Sequence, residues 1–320
     1  MSKPLYINTA FENGSPLDWE VTADGVLELW PQFDYEHGPS GNRQLTHWHF
    51  RLHGEAGQTL RLRLPPRWNV WEGRRGPAFV TRTGNSLSVD GVHWQQFFWE
   101  LGEDKSLETE LVLPADVVWI ARIEPYTTQH LGAWVQRLQT DPRTQVETIG
   151  QTVEGRELEL VTLSTGPGRP LVLFRARAHP WEAGGNWFIE GVAAEALRNP
   201  DVLAACDVVF LPMAAKDGVV RGQTRFNVNG LDLNRGFVPG YDFREAPENQ
   251  ALLDWLLARQ AAGRLPFLAL DLHDDDYGNL HVGHGGDHPE YDRRMAALEA
   301  LLRARTYFTE GASHGVGAAT

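Results

Sequence analysis

The chain has 320 residues, 29 Lys and Arg against 42 Asp and Glu for a net charge of −13 with His neutral, and is 42% hydrophobic. This is globular composition, and the acidic balance argues against nucleic acid, whose phosphates need a basic face. One cysteine, Cys206, excludes a disulfide framework or a Cys-rich metal finger, and no apolar run approaches the ~18 residues of a membrane span. The first residues lack a basic flank followed by an apolar run, so no signal peptide is expected, and a cytoplasmic setting follows. The length exceeds what one core usually organises, which predicts two domains.

Residues 1–138 alternate apolar and polar side chains in short runs, as in Val26-Leu27-Glu28-Leu29-Trp30, His47-Trp48-His49-Phe50-Arg51-Leu52 and Thr59-Leu60-Arg61-Leu62-Arg63-Leu64. Period two with Gly, Pro, Asn and Asp between the runs predicts half-buried antiparallel strands, hence a β-sandwich domain. Trp19, Trp30, Trp48, Trp68, Trp71, Trp94, Trp99, Trp119 and Trp134 all lie here. Several alternate with charged residues in the strand period, which favours core packing over a carbohydrate platform.

From residue 139 to 320 the pattern changes to strand then helix. Pro170 to Arg177, Cys206 to Pro212 and Pro266 to Leu272 read as buried strands. Ala183 to Arg198, Glu248 to Gln260 and Pro289 to Arg305 read as helices. Buried strands alternating with helices predict an α/β fold, a largely parallel sheet flanked by helices. Ligands of such sheets sit beyond the carboxyl ends of the strands.

Two of those carboxyl ends carry metal-ligating side chains. The first strand runs into Ala178-His179-Pro180-Trp181-Glu182, and Pro266 to Leu272 runs into His273. His179, Glu182 and His273 are three candidate ligands for one metal, and two imidazoles with a carboxylate suit Zn²⁺ with its fourth position open to water. A third segment, Arg225 to Arg235, concentrates arginines and amides around Gly230 in an otherwise acidic chain. Arginine's planar fork pairs with carboxylates, so this segment either grips a substrate carboxylate or is an ordinary polar loop.

These residues resemble the zinc carboxypeptidase superfamily, and within it the cytosolic carboxypeptidase branch. Ala176-Arg177-Ala178-His179-Pro180-Trp181-Glu182 is similar to the branch's Ala-Arg-Val-His-Pro-Gly-Glu, with Trp187 and Gly191 also in place. Asp232-Leu233-Asn234-Arg235 matches its Asp-Leu-Asn-Arg, with Arg225 at the corresponding upstream position. Asp116 to Trp119, Glu124 to Thr127 and Thr152 to Arg156 resemble the end of the branch's β domain and a following turn, so the agreement runs from about residue 110 to 283. The resemblance implies a carboxypeptidase-like α/β domain over 139–320. It implies one Zn²⁺ on His179, Glu182 and His273, with Asp232 orienting His179. Asn234 and Arg235 would bind the α-carboxylate of a peptide or protein C-terminal tail, and Arg225 would stabilise the oxyanion. Neither a nucleic acid nor a membrane partner is implied, and the oligomeric state is left open.

Departures from the family pattern qualify the expectation. Glu310 superficially matches the family's general base but follows the helix ending near Arg305 too closely. The alternative is that Tyr307 to Thr309 is an earlier strand and the base lies past Thr320, in which case the domain is incomplete at its carboxyl end. Trp181 replaces a small glycine and would narrow the way to the metal. Asp274, Asp275 and Asp276 either favour a cationic substrate or form a solvated turn, and His281, His284 and His288 read as a surface loop. Two other functions stay open: a zinc amidohydrolase acting on acylamino acids, and a catalytically impaired peptide-binding relative.

Overall fold

The computed structural model describes residues 5–38, 40–237, 243–274, 280–283, 289–309 and 312–316. Two units make up the chain: Met1–Asn234 with Asp242–His273, and Arg235–Tyr241 with Asp274–Thr320.

The first unit opens with eleven strands: β1 (Tyr6–Asn8), β2 (Leu17–Val21), β3 (Val26–Pro31), β4 (His49–His53), β5 (Thr59–Leu64), β6 (Trp68–Trp71), β7 (Arg74–Pro77), β8 (Thr83–Ser88), β9 (Trp94–Leu101), β10 (Leu107–Val112) and β11 (Val117–Ala121). Nine of them form one sheet in the order β1-β4-β11-β8-β9-β10-β5-β3-β2, while β6 and β7 pair as a separate hairpin. Strands from both ends of this order share one core, with Leu27 and Leu29 of β3 and Leu60, Leu62 and Leu64 of β5 meeting Phe50 and Leu52 of β4 and Val118 and Ile120 of β11. The sheet therefore folds over on itself as a sandwich, and the alternating sequence pattern is the record of one face turned inward. Its pairs are antiparallel except β3 with β5, which run parallel. Trp48 and Trp99 are buried in this core, and Trp48 donates its indole N–H to Asn85 Oδ1 at 2.7 Å. Trp68 and Trp71, on the separate hairpin, are exposed.

The same unit continues with α1 (Thr128–Leu138), β12 (Thr144–Gln151), β13 (Glu157–Leu163), β14 (Leu171–Ala176), α2 (Gly184–Arg198), α3 (Pro200–Ala205), β15 (Asp207–Leu211), α4 (Lys216–Val220), α5 (Pro247–Ala261) and β16 (Leu268–Leu272). Its sheet has the order β12-β13-β15-β14-β16. The β14 strand is parallel to both β15 and β16, whereas β12, β13 and β15 pair antiparallel, so the sheet is mixed. Along β14, Val172 and Phe174 face α1, α2 and α3, while Leu171 and Leu173 face Leu252 and Trp255 of α5. Burial on both faces is why this strand reads as an unbroken apolar run.

The second unit holds β17 (Leu280–Gly283), α6 (Pro289–Arg305) and β18 (Ala312–Val316), with β17 and β18 paired in parallel. Residues 306–309 are not a strand, and Tyr307 is fully exposed, so the extended segment expected at Tyr307 to Thr309 does not form. Glu310, Asp275, Asp276, His284 and His288 lie outside the described residues. No described helix is long and apolar enough to cross a membrane.

Candidate metal centre

Two parallel strands set the site. Ala176 of β14 is in register with Leu272 of β16, so the residues just past each strand end emerge side by side. Arg177 takes a left-handed backbone (φ 60°), turning the chain out of the sheet toward His179. The following helix then approaches the sheet closely at Gly185. A Cβ there would lie 3.0 Å from Leu272 Cβ and 3.1 Å from Ala176 Cβ, so the glycine lets α2 sit a few tenths of an ångström closer to the strands that carry the site.

The result is a cluster of three donors. His179 Nδ1 lies 2.8 Å from Glu182 Oε1, and His273 Nδ1 lies 2.8 Å from Glu182 Oε2. The two rings are 5.0 Å apart at their centroids, and one ligand atom from each of the three residues falls within 4.8 Å of the others. His179 and Glu182 are buried, and the His273 side chain is about a third exposed, at 29%. Each histidine has a carboxylate at its far nitrogen, with Asp232 Oδ1 at 3.1 Å from His179 Nε2 and Asp271 Oδ2 at 3.4 Å from His273 Nε2. Each ring thus has a carboxylate at both nitrogens; when an ion takes the place of the proton on Nδ1, the carboxylate at Nε2 holds the remaining N–H.

The electrostatics favour a cation at this point. Burial works to lower the His273 pKa, but hydrogen bonds to Asp271 and Glu182 outweigh it and push it up to about 10. For Glu182, burial acts to raise the carboxyl, yet the two histidines hold it below its usual value. Two nitrogens and a carboxylate, converging and oriented from behind, fit a single divalent ion of the borderline-soft kind.

Arg225 stands next to this cluster. Its Nε (3.0 Å) and Nη2 (2.6 Å) both donate to Asp232 Oδ2, the carboxylate whose other oxygen faces His179. Its Nη1 donates to Gln44 Oε1 at 3.2 Å, so three of its five N–H groups are engaged among the described residues. Asp232 Oδ1 also accepts the Asn234 backbone N–H at 2.9 Å, closing the turn. Arg235, next along the chain, belongs to the second unit, where it is half-buried. Trp181 is buried and its backbone N–H meets Thr224 O at 3.3 Å, so its indole packs within the protein instead of standing free. Asp274 is half-buried in the second unit, and His281 there is exposed.

Sequence reasoning assembled His179, Glu182, His273, Asp232, Arg225 and Asn234, and missed two partners. Asp271 sits two residues before His273 on β16, hence on the same face, and a strand-period reading of Asp271-Leu272-His273 carries that signal. Arg175 is in register with Asp271 on β14 and donates to it at 2.8 Å, with further bonds to Leu233 O (2.8 Å) and Asn249 Oδ1 (3.2 Å).

Comparison with known proteins bears on the family and the fold. Residues 131–273 match the family model described as zinc carboxypeptidase. Cytosolic carboxypeptidase 2 of Xenopus tropicalis is 27% identical over 168 residues, covering 48% of this chain and 16% of that protein. Human cytosolic carboxypeptidase 1 is 28% identical over 181 residues, 49% of this chain and 14% of that protein. The match thus spans only a small part of these curated relatives. A metallo-carboxypeptidase from Burkholderia cenocepacia superposes with a TM-score of 0.79 at 22% identity, over 97% of this chain and 83% of that one. A metallo-carboxypeptidase from Pseudomonas aeruginosa, solved with (2-guanidinoethylmercapto)succinic acid, gives 0.77 at 21% identity, over 98% and 84%. At these identities the structural likeness establishes the fold.

Proposed function

We propose, from the match of residues 131–273 to the zinc carboxypeptidase family model, that the chain hydrolyses the last peptide bond of a peptide with a free carboxyl end. The observation that carries this reading is the convergence of His179 Nδ1, His273 Nδ1 and the Glu182 carboxylate on one point. Zinc held by these three residues would supply a water activated at neutral pH and a Lewis acid for the carbonyl. With the ion bound, Asp232 and Asp271 would each hold a histidine's Nε2–H and so leave both Nδ1 lone pairs to the metal. Arg225 offers its two remaining N–H groups to the carbonyl oxygen as that atom gains charge, and losing one such donor costs about 2.7–4 kcal/mol of transition-state stabilisation. Asn234 and Arg235 are assigned to the α-carboxylate from the resemblance of the Asp232-Leu233-Asn234-Arg235 run, an arginine being suited to a carboxylate by its planar fork. Only a chain end presents that carboxylate, so the clamp makes the activity an exopeptidase. A cytoplasmic setting belongs to the same proposal, supported by the names of the relatives.

The test is mass spectrometry of a mixed peptide library, with and without chelator, beside metal analysis of the wild type and of His179→Ala and His273→Ala. Loss of single C-terminal residues, abolished by chelator, with about one zinc per chain in the wild type and none in either variant, is expected. Release of an acyl group instead would favour an amidohydrolase. Peptide binding without chelator-sensitive cleavage would point to an impaired relative. Full zinc in both variants would end the ligand assignment.

A further inference from the structure

The loop that carries Arg225 is held from outside the family-matched residues. Asp34, just past β3, accepts three consecutive backbone N–H groups on its carboxylate: Thr224 (2.9 Å) on Oδ1, and Arg225 (2.5 Å) and Phe226 (3.0 Å) on Oδ2. Three amides converging on one carboxylate form a concave anion site filled by an aspartate of the same chain about 190 positions away. Two more side chains of the β-rich segment complete the surround of Arg225. Gln44 Oε1 accepts from Nη1 at 3.2 Å, and the Trp71 ring lies 5.8 Å from the guanidinium carbon. On the other side the guanidinium is fixed by Asp232, so its plane is set jointly by the two parts of the first unit.

We infer that Asp34 is a positioning residue for Arg225, and that the amino-terminal β-rich segment is thereby part of the reaction machinery and not only a neighbouring fold. The inference rests on the proposed role of Arg225 at the oxyanion and gives the β-rich segment a task in it. Thr224, Arg225 and Phe226 have no regular secondary structure to satisfy their amides. Without Asp34 those three donors lose their acceptor, and the backbone that aims the guanidinium is free to shift. A displacement near 1 Å at a reacting centre costs up to ~10²-fold in rate. A hydrophobic core residue would stabilise the loop as well, but it would not fix three N–H vectors at once.

The experiment uses the full chain loaded with zinc, and titrates a peptide phosphonate, which mimics the tetrahedral carbon, and the matching ordinary peptide. Asp34→Ala should weaken phosphonate binding roughly 10–100-fold while changing ordinary peptide binding less than about twofold, because misaim of Arg225 is felt where the oxyanion forms. Asp34→Asn, which keeps one acceptor oxygen, should fall between Asp34→Ala and the wild type. The double variant of Asp34→Ala with Arg225→Ala should bind phosphonate no more weakly than Arg225→Ala alone. Unchanged phosphonate affinity in Asp34→Ala, or losses that multiply in the double variant, would overturn the inference. A wild type that binds no phosphonate defeats the proposed function instead, and amide exchange then decides about Asp34. Faster exchange at residues 224–226 in Asp34→Ala supports the positioning role, and unchanged protection refutes it.

Discussion

Asp271 shows how much a single side chain can settle at the candidate metal centre. It takes the Nε2 side of His273 and is itself met by Arg175, which is buried and donates at 2.8 Å. Removing its charge leaves the His273 Nε2–H with at best a neutral amide acceptor, and such charged partners typically account for ~10–100-fold in metal affinity or activity. Asp271→Asn should therefore weaken zinc binding by about that factor in competition with a chromophoric chelator; unaltered affinity would remove Asp271 from the centre. At this scale the sequence was most readable where spacing is short. His179 and Glu182 lie three apart on one loop, and Asp232 is recognisable from its run with Leu233, Asn234 and Arg235. Asp34 was not readable at all, because nothing in Gln32-Phe33-Asp34-Tyr35 announces that its carboxylate will meet amides near residue 225.

Among the elements, the turn within Arg225 to Arg235 depends most on backbone geometry. Asn227 Oδ1 accepts the N–H groups of Asn229 (3.1 Å) and Leu231 (3.0 Å), and Gly230 has φ 79°. His37 donates its N–H to Gly230 O, and a Cβ on Gly230 would stand 2.3 Å from that same nitrogen. Gly230→Ala therefore meets both an unfavourable dihedral and a backbone clash, and should cost roughly 1–3 kcal/mol. A lower midpoint in urea unfolding is the expected reading, and an unshifted midpoint would contradict this account. Of the elements flanking the turn, the strand at Cys206 to Pro212 and the helix at Glu248 to Gln260 were visible in their apolar residues, whereas the five-residue α4 was too short to show a period. The hairpin of β12 and β13 was harder to see, since β12 is mostly polar and its two apolar residues, Val146 and Ile149, pack against opposite faces of the sheet and so leave no two-residue period.

For the whole molecule, the join between the β-rich segment and the α/β sheet is where pH should act. Asn13 donates its backbone N–H to Val220 O and its Nδ2 to Val219 O, while its own oxygens face His47 Nε2 (3.4 Å) and His49 Nδ1 (3.0 Å). Burial lowers the pKa of His47 to about 4 and of His49 to about 3, the neighbouring His47 adding to the effect on His49. The unfolded chain takes up these protons below pH 6.5 and the folded chain does not, so stability is complete above that value and is lost as pH falls toward 4. Each histidine contributes a slope of about 1.4 kcal/mol per pH unit in that window. Glu248 opposes them: burial raises its pKa to about 7, so between about pH 4.5 and 7 its contribution falls as pH rises. Two rising terms against one falling term leave a net loss on acidification, which urea titrations from pH 7 to 4.5 should record. His47→Gln should flatten that slope, and an identical pH profile in the variant would rule out His47 as its source. A different consequence follows from where β16 lies. Among the described residues it is the outermost strand of its sheet, tied laterally to β14 alone, yet it delivers one of the three donors. Any ion gripped between His179 and His273 is thus a rivet through the rim of the sheet, and its departure would let that margin fray before the interior gives way.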